Sequence, residues 1–282
     1  MFEYNDIKIT TLAPGGGALE AKKDGHLHCK TTPYIIFAQA YVGHYELTAA
    51  GQTWIMEPGE AFFTPPNLPL AITHRVDPSI GKMRMRWLHF NVVFPGGIPL
   101  DAMFDFPFHV DRETSEQLAG PIEELRHLSE VHTIAAAVRK NQLGFTCLHH
   151  LVPLLQPRKN LEGFYRLSPQ LLPLLDYINR HLRQSISIAE ITRHGHLSRA
   201  GLNRLFAAAL NTPPYHYILR LRLEQIAECL RNSSASIGEI AEKFNYPNQF
   251  LLSRQFKSQY GMSPQRYRQT MAWKYDPTPL KQ

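Results

Sequence analysis

The first hundred or so residues carry short β-favouring runs broken by Pro and Gly turns: YIIFAQAYV, YELTAAGQTWIMEPGEAFFTPPN, LAITHRV and MRMRWLHFNVVF. Met83, Met85 and Trp87 alternate with Arg84 and Arg86, the period of two of a strand whose faces meet different surroundings. Short strands at this spacing predict an antiparallel sandwich or small barrel. From Glu113 to Gln156 the period lengthens: Leu118, Ile122 and Leu125, then Ile134 and Val138, then Leu148, Leu151 and Leu155 recur at three or four. That predicts two helices, each with an apolar face. QPRKNLEGFYRLSPQ follows, polar and Pro-containing, and reads as an interdomain linker over 158–168. Beyond it Leu171, Leu174, Leu175, Ile178 and Leu182 mark the stripe of a helix that has begun by Pro173.

An internal repeat comes next. SIAEITRHGHLSRAGLNRLFAAALNTPPYHYI lies over SIGEIAEKFNYPNQFLLSRQFKSQYGMSPQRYR. Ile188 and Ile191 precede Ile237 and Ile240 by 49 positions, whereas Leu202, Arg204, Phe206 and Pro214 precede Leu252, Arg254, Phe256 and Pro264 by 50, with one residue inserted at the turn. Each copy reads as a short helix, a tight turn and a second helix, the geometry that fits a helix into the major groove. Asn245 occupies a turn that calls for positive φ, and Ser198 and Asn248 stand where the second helices need caps. Between the copies, YILRLRLEQIAECLRN predicts one long helix with Ile218, Leu221, Ile226, Cys229 and Leu230 as its apolar contacts.

Composition sharpens this picture. At 282 residues and 44% hydrophobic, the chain can bury a sizeable core, and its length favours two domains. The start MFEYNDIKIT lacks a charged-then-apolar signal pattern and no run of apolar residues is long enough to span a bilayer, so a cytoplasmic, membrane-free protein is expected. Cys29, Cys147 and Cys229 are scattered, with no CxxC, and predict neither a disulfide framework nor a zinc knuckle. The formal net charge of +6 is unevenly spread: residues 168–282 carry 15 Lys/Arg and 7 Asp/Glu (+8), and residues 1–167 carry 15 and 17 (−2). A basic C-terminal part points to a polyanionic partner.

The pattern I..IA......F..RQFK...G.SP..YR, preceded by a degenerate copy and by LRLEQIAECL, resembles the DNA-binding domain of the AraC/XylS transcription regulators. The resemblance implies two recognition helices entering successive major grooves of double-stranded operator or promoter DNA, with the long helix fixing their separation. It puts Ala200, Asn203 and Arg204, with Arg199 beside them, at the base-facing positions of the first helix, and Gln249, Phe250, Ser253 and Arg254 at those of the second. It puts Arg266 or Arg268 near phosphate, with Tyr267 packing between them. Arg204 and Arg254 stay open between base edges and a phosphate or intramolecular ion pair. The sequence departs from the family at His196 and Asn245, where Gly is usual, at Thr192 for Ala, and at Pro247 for a capping Ser, which is expected to shift the start of the second recognition helix.

MEPGEAFFTPPNLPLAITH followed by RWLHFN resembles the cupin-type sensing domain of the sugar-responsive branch of that family. This implies a barrel that holds a small effector, a sugar or related polyol, with His28, Tyr41, Thr64, Arg84, Arg86, Trp87 and His89 as candidate contacts; plain core packing is the competing role of the aromatics. His26 and His28 have HxH spacing, but no Glu follows, Leu70 stands near where another His is wanted and His74 comes a few residues late, so no metal is assigned. The expected architecture is α+β: a cupin-like β-barrel sensing domain over 1–112, a helical dimerisation segment over 113–157, the linker, and an all-α domain with two helix-turn-helix motifs over 169–272. The implied protein is a homodimeric, ligand-controlled regulator without a cofactor, not an enzyme, and RNA polymerase is a further candidate partner. Two alternatives stay open: a cupin metal enzyme fused to a nucleic-acid-binding module, and a constitutive architectural DNA-binding protein.

Overall fold

The computed structural model describes residues 7–94, 97–131, 133–158, 161–184 and 186–271, and the chain divides into two compact units, Met1–Glu162 and Gly163–Gln282. In the first unit the strands are β1 (Lys8–Glu20), β2 (His26–Lys30), β3 (Ile35–Val42), β4 (His44–Ala49), β5 (Gln52–Met56), β6 (Ala61–Thr64), β7 (Leu70–Arg75), β8 (Lys82–Phe94), β9 (Ile98–Pro99), β10 (Phe104–Asp105), β11 (Phe108–Val110) and β12 (Gln156–Pro157). Its helices are α1 (Leu100–Met103), α2 (Arg112–Gln117), α3 (Ala119–His127) and α4 (Ile134–Leu151).

The strands form a large antiparallel sheet in the order β1-β8-β3-β6-β11, with β9 on β8, a four-stranded sheet in the order β2-β7-β4-β5, and the small β10-β12 pair. Two stacked open sheets therefore replace the closed barrel expected from sequence. Between Lys30 and Ile35 the chain crosses from the small sheet to the large one, and its backbone groups are met outside the ladders. Asn91 donates to the Pro33 carbonyl at 2.9 Å and accepts from the Ile35 amide, while the Asn67 amide donates to the Thr32 carbonyl.

The two faces of the large sheet are both covered. Ile36, Ala38, Phe62, Met83 and Met85 meet Tyr45, Leu47, Leu70 and Ile72 of the small sheet. Ile35, Phe37, Phe63, Leu88 and Phe90 meet Leu118, Ile122, Leu125, Leu143, Cys147, Leu148, Leu151 and Leu155 from the helical segment. Each of the Leu, Ile, Phe and Met side chains, once buried, contributes about 1.5–3 kcal/mol. The Leu148, Leu151 and Leu155 stripe, expected at a dimer interface, is thus consumed by its own sheet. α4 instead presents Ile134, Val138 and Phe145 outward, 86%, 64% and 41% exposed. No helix among the described residues is long and apolar enough to cross a membrane.

The second unit is helical: α5 (Leu161–His181), α6 (Ile188–His194), α7 (Arg199–Leu210), α8 (Pro214–Asn232), α9 (Ile237–Lys243), α10 (Gln249–Tyr260) and α11 (Pro264–Met271). The stretch 158–168, read as linker, is helical from Leu161, and the division between the units falls inside it; Lys159 and Asn160 lie outside the described residues. Leu171, Leu174, Leu175 and Ile178 of α5, and Leu182 just beyond its end, are all buried, at most 2% exposed. Arg222 of α8 donates to the carbonyls of Leu182 and Gln184, tying the end of α5 to the long helix.

Candidate nucleic-acid interface

The repeat seen in the sequence is a repeat of hydrogen bonds. α6 and α9 each start with a capping box, Ser187 with Glu190 and Ser236 with Glu239. The Ser187 and Ser236 amides and hydroxyls hold these two carboxyls below the usual carboxylate range. The turns that follow place His196 at φ 50° and Asn245 at φ 54°, the left-handed conformation for which the sequence lacks the family's Gly. Ser198 then caps α7 by accepting from the Gly201 amide at 3.0 Å, and Asn248 caps α10 by accepting from Leu251 at 2.9 Å. These caps stand 50 positions apart, like Arg204 and Arg254, so Pro247 does not shift the second recognition helix: it precedes the cap and costs the helix no amide.

Apolar side chains fix each pair of helices at its angle. Leu202, Phe206 and Tyr217 are buried in the first copy, Leu252, Phe256 and Tyr267 in the second, where the rings of Phe256, Tyr260 and Tyr267 pack at tilted and edge-on angles with centres within 5.3 Å of one another. The opposite faces look to solvent. Arg199, Ala200, Asn203 and Arg204 are exposed on α7, and Gln249, Phe250 and Arg254 on α10, with Ser253 half-buried. Phe250 is 76% exposed, an apolar ring held out from the first turn of a helix. Among the described residues neither Arg204 nor Arg254 has an ion pair or hydrogen-bond partner, which removes the intramolecular salt bridge from the readings left open. Arg268 behaves differently: its guanidinium donates to the carbonyls of Leu230 and Ala235, where it fastens α11 to the end of α8.

The effector candidates of the first unit fall on two faces of the large sheet. Ile36 pairs across β3 with both Thr64 and His89, so these two side chains, like Trp87, look toward the small sheet. His28 pairs with Ile72 and shares that inter-sheet layer from the other side. Arg84, Arg86 and Tyr41 lie on the helix-covered face instead. Arg84 is exposed there, and the Arg86 guanidinium sits 4.4 Å from the Tyr41 ring centre. Trp87 is partly spoken for, because β1 crosses its indole at Gly15: a Cβ there would fall 2.3 Å from Trp87 Cε2, so only glycine fits. The Thr64 hydroxyl is buried with no partner.

Sequence reasoning missed Lys30, which pairs with Leu70 on the same inner face as His28. Burial lowers its ammonium to about 8. Burial first, then the Lys30 charge, holds His28 to about 4 and His89 to about 3. The alternation of His26, His28 and Lys30 along HLHCK was the available signal. No group of three or more His, Cys, Asp or Glu among the described residues has metal-binding geometry.

Residues 191–270 match the family described as a helix-turn-helix domain. The chain is 26% identical over 160 residues to the probable transcriptional regulator LumQ of Photobacterium leiognathi, covering 57% of this chain and 61% of that protein. It is 25% identical over 244 residues to the raffinose operon transcriptional regulatory protein RafR of Pediococcus pentosaceus, covering 82% and 86%. The match thus spans less than two thirds of LumQ, but most of RafR. Among solved structures, ToxT of Vibrio cholerae O395 shares the fold at a TM-score of 0.51 and 9% identity, over 92% of this chain and 98% of its own. A doubled, identically capped helix-turn-helix joined by one long helix, together with relatives that align across both units, makes this chain similar to the AraC-type transcription regulators.

Proposed function

We propose that the protein binds duplex DNA through α7 and α10 and regulates transcription in response to a small molecule held by its N-terminal unit. The observation that carries the reading is the pair of unpartnered arginines, Arg204 and Arg254, at equivalent outward positions of two identically capped helices. Arg199, Ala200 and Asn203 on α7, and Gln249, Phe250 and Ser253 on α10, are the other base-facing candidates. Phe250 has the chemistry to meet a thymine methyl. Arg268 drops from the proposal, its guanidinium being engaged with backbone. α8 spans 19 residues, about 28 Å at 1.5 Å per residue, a length suited to spacing two readers along a duplex.

The effector reading rests on the inter-sheet layer, where Thr64, His89, Trp87 and His28 supply hydroxyl, imidazole and indole groups. RafR is named for a raffinose operon, which supports a polyhydroxylated effector. Arg84, Arg86 and Tyr41 leave the candidate set because the sheet separates them from the others. A homodimer is supported by Ile134, Val138 and Phe145, which stay exposed along the outer face of α4.

The test is binding to DNA fragments selected from random sequence, followed by anisotropy over a range of salt. The C-terminal surplus of 15 basic over 7 acidic residues predicts a log–log salt slope of about −0.9 per phosphate neutralised. A flat salt response, or a selection that yields no common site, refutes the reading.

A further inference from the structure

The charges at one end of the inter-sheet layer do not balance. β2 ends at Lys30 and β3 begins at Ile35, so the chain crosses between sheets there, and β6 ends at the same level with Thr64, which pairs with Ile36. Residues directly opposite in a ladder share a face. Lys30 lies opposite Leu70 and His28 opposite Ile72, both of which are buried against the large sheet. Across the layer, His89 stacks on Tyr34 with ring centres 5.9 Å apart, and the buried Thr64 hydroxyl lacks a partner.

Among the described residues no carboxylate pairs with the Lys30 ammonium. Its ionisable neighbours are His28, His74 and His89, and each imidazole is shifted down, toward the neutral form, by desolvation and by the Lys30 charge. A desolvated ammonium without a counter-ion is costly, and a sugar hydroxyl does not cancel its charge. The position is also reachable: β2 is an edge strand of its sheet, His28 is exposed and Lys30 is half-buried.

Resting on the effector reading above, we infer that the effector is a monoanion, a hydroxylated carboxylate of the sugar-acid class, with its carboxylate on Lys30 and a hydroxyl on Thr64. One ammonium balances one carboxylate. A phosphate dianion would leave a second buried charge among neutral imidazoles. His28 and His89, whose imidazoles both feel the Lys30 charge, can donate N–H bonds to the same group without carrying charge.

The experiment is thermal unfolding of the full chain at fixed ionic strength with D-galacturonate, D-glucuronate, D-galactonate and D-gluconate, against neutral D-galactose and D-glucose. Wild type is compared with Lys30→Met. At least one acid is expected to raise the melting temperature where its neutral counterpart does not, and calorimetry should give a loss of affinity of about thirtyfold or more in Lys30→Met. The ligand-free variant is expected to melt no lower than wild type, because it loses a half-buried charge that no carboxylate among the described residues pairs with. A ligand-free Lys30→Met that is less stable, or an acid effect undiminished in it, overturns the inference. Stabilisation by a neutral sugar equal to that by its acid also overturns it, while leaving an effector site in place. No response to any of the six overturns this inference and the polyhydroxylated-effector reading together.

Discussion

In the first helix-turn-helix copy Ser187 and Glu190 close a capping box, His196 turns the chain at φ 50° and Phe206 is fully buried; in the second, Ser236 and Glu239, Asn245 at φ 54° and Phe256 do the same. Outward, the copies part company. Arg199, Ala200 and Asn203 stand against Gln249, Phe250 and Ser253, and only Arg204 and Arg254 agree. Interior positions are held by packing and by the need to satisfy helix ends, which both copies face alike. Outward positions answer to no intramolecular partner. One scaffold can therefore carry two readers with different tastes in sequence.

The strongest way to break the comparison is through the core. Phe206→Ala and Phe256→Ala should each cost about 3–5 kcal/mol, read by urea unfolding of the full chain. Losses that differ by more than the spread of that range would mean that the copies are not equivalent scaffolds. Next come the readers: Arg204→Ala and Arg254→Ala should each lose about 1–3 kcal/mol on a selected site, measured by anisotropy. The same loss on random DNA would move that arginine to phosphate, and a loss in one copy alone would show that only one reads bases. Ser187→Ala and Ser236→Ala should each cost about 1 kcal/mol, with little effect on site preference. Smallest are the turns. His196→Gly and Asn245→Gly should gain a few tenths of a kcal/mol by relieving left-handed strain, more at His196 because Asn tolerates that conformation better.

These elements were legible in the sequence for a physical reason: a helix end needs a cap and an amphipathic helix needs a period, and both leave local marks. The mistaken expectation at Pro247 was local too, since a proline just before the cap looks the same in sequence whether or not it moves the start. The first unit was harder to read. Alternation along MRMRWLHF separates Arg84 and Arg86 from Trp87 and His89, yet both faces of β8 are covered, one by helices and one by the second sheet. Period alone does not say which face meets which layer, and the arginines were assigned to the wrong company. Likewise the period of α4 gave a true apolar stripe at Leu148, Leu151 and Leu155, but not its partner, which is the sheet beneath. Closure of the sheets depends on where the chain crosses between Lys30 and Ile35, and a crossing has no period. Lys30 itself escaped because a strand lysine is ordinarily a solvated one.

The longest ladder of the molecule, β1 on β8, joins residues far apart in the chain: Glu20 pairs with Lys82, 62 positions on, and Lys8 with Val93, 85 positions on. At roughly 5–20 residues per second of synthesis, β1 waits about 4–17 s after emerging before its whole partner strand exists. During that interval KITTLAPGGGALE offers unpaired amides and carbonyls to any other extended chain nearby. Its three consecutive glycines, the first of them needed where β1 crosses Trp87, also make it a poor template for such pairing, because a glycine-rich strand gives up more backbone entropy on ordering and brings no side chains to hold a stranger. The glycine run that begins where β1 closes over the Trp87 indole thus also keeps the strand solitary while it waits.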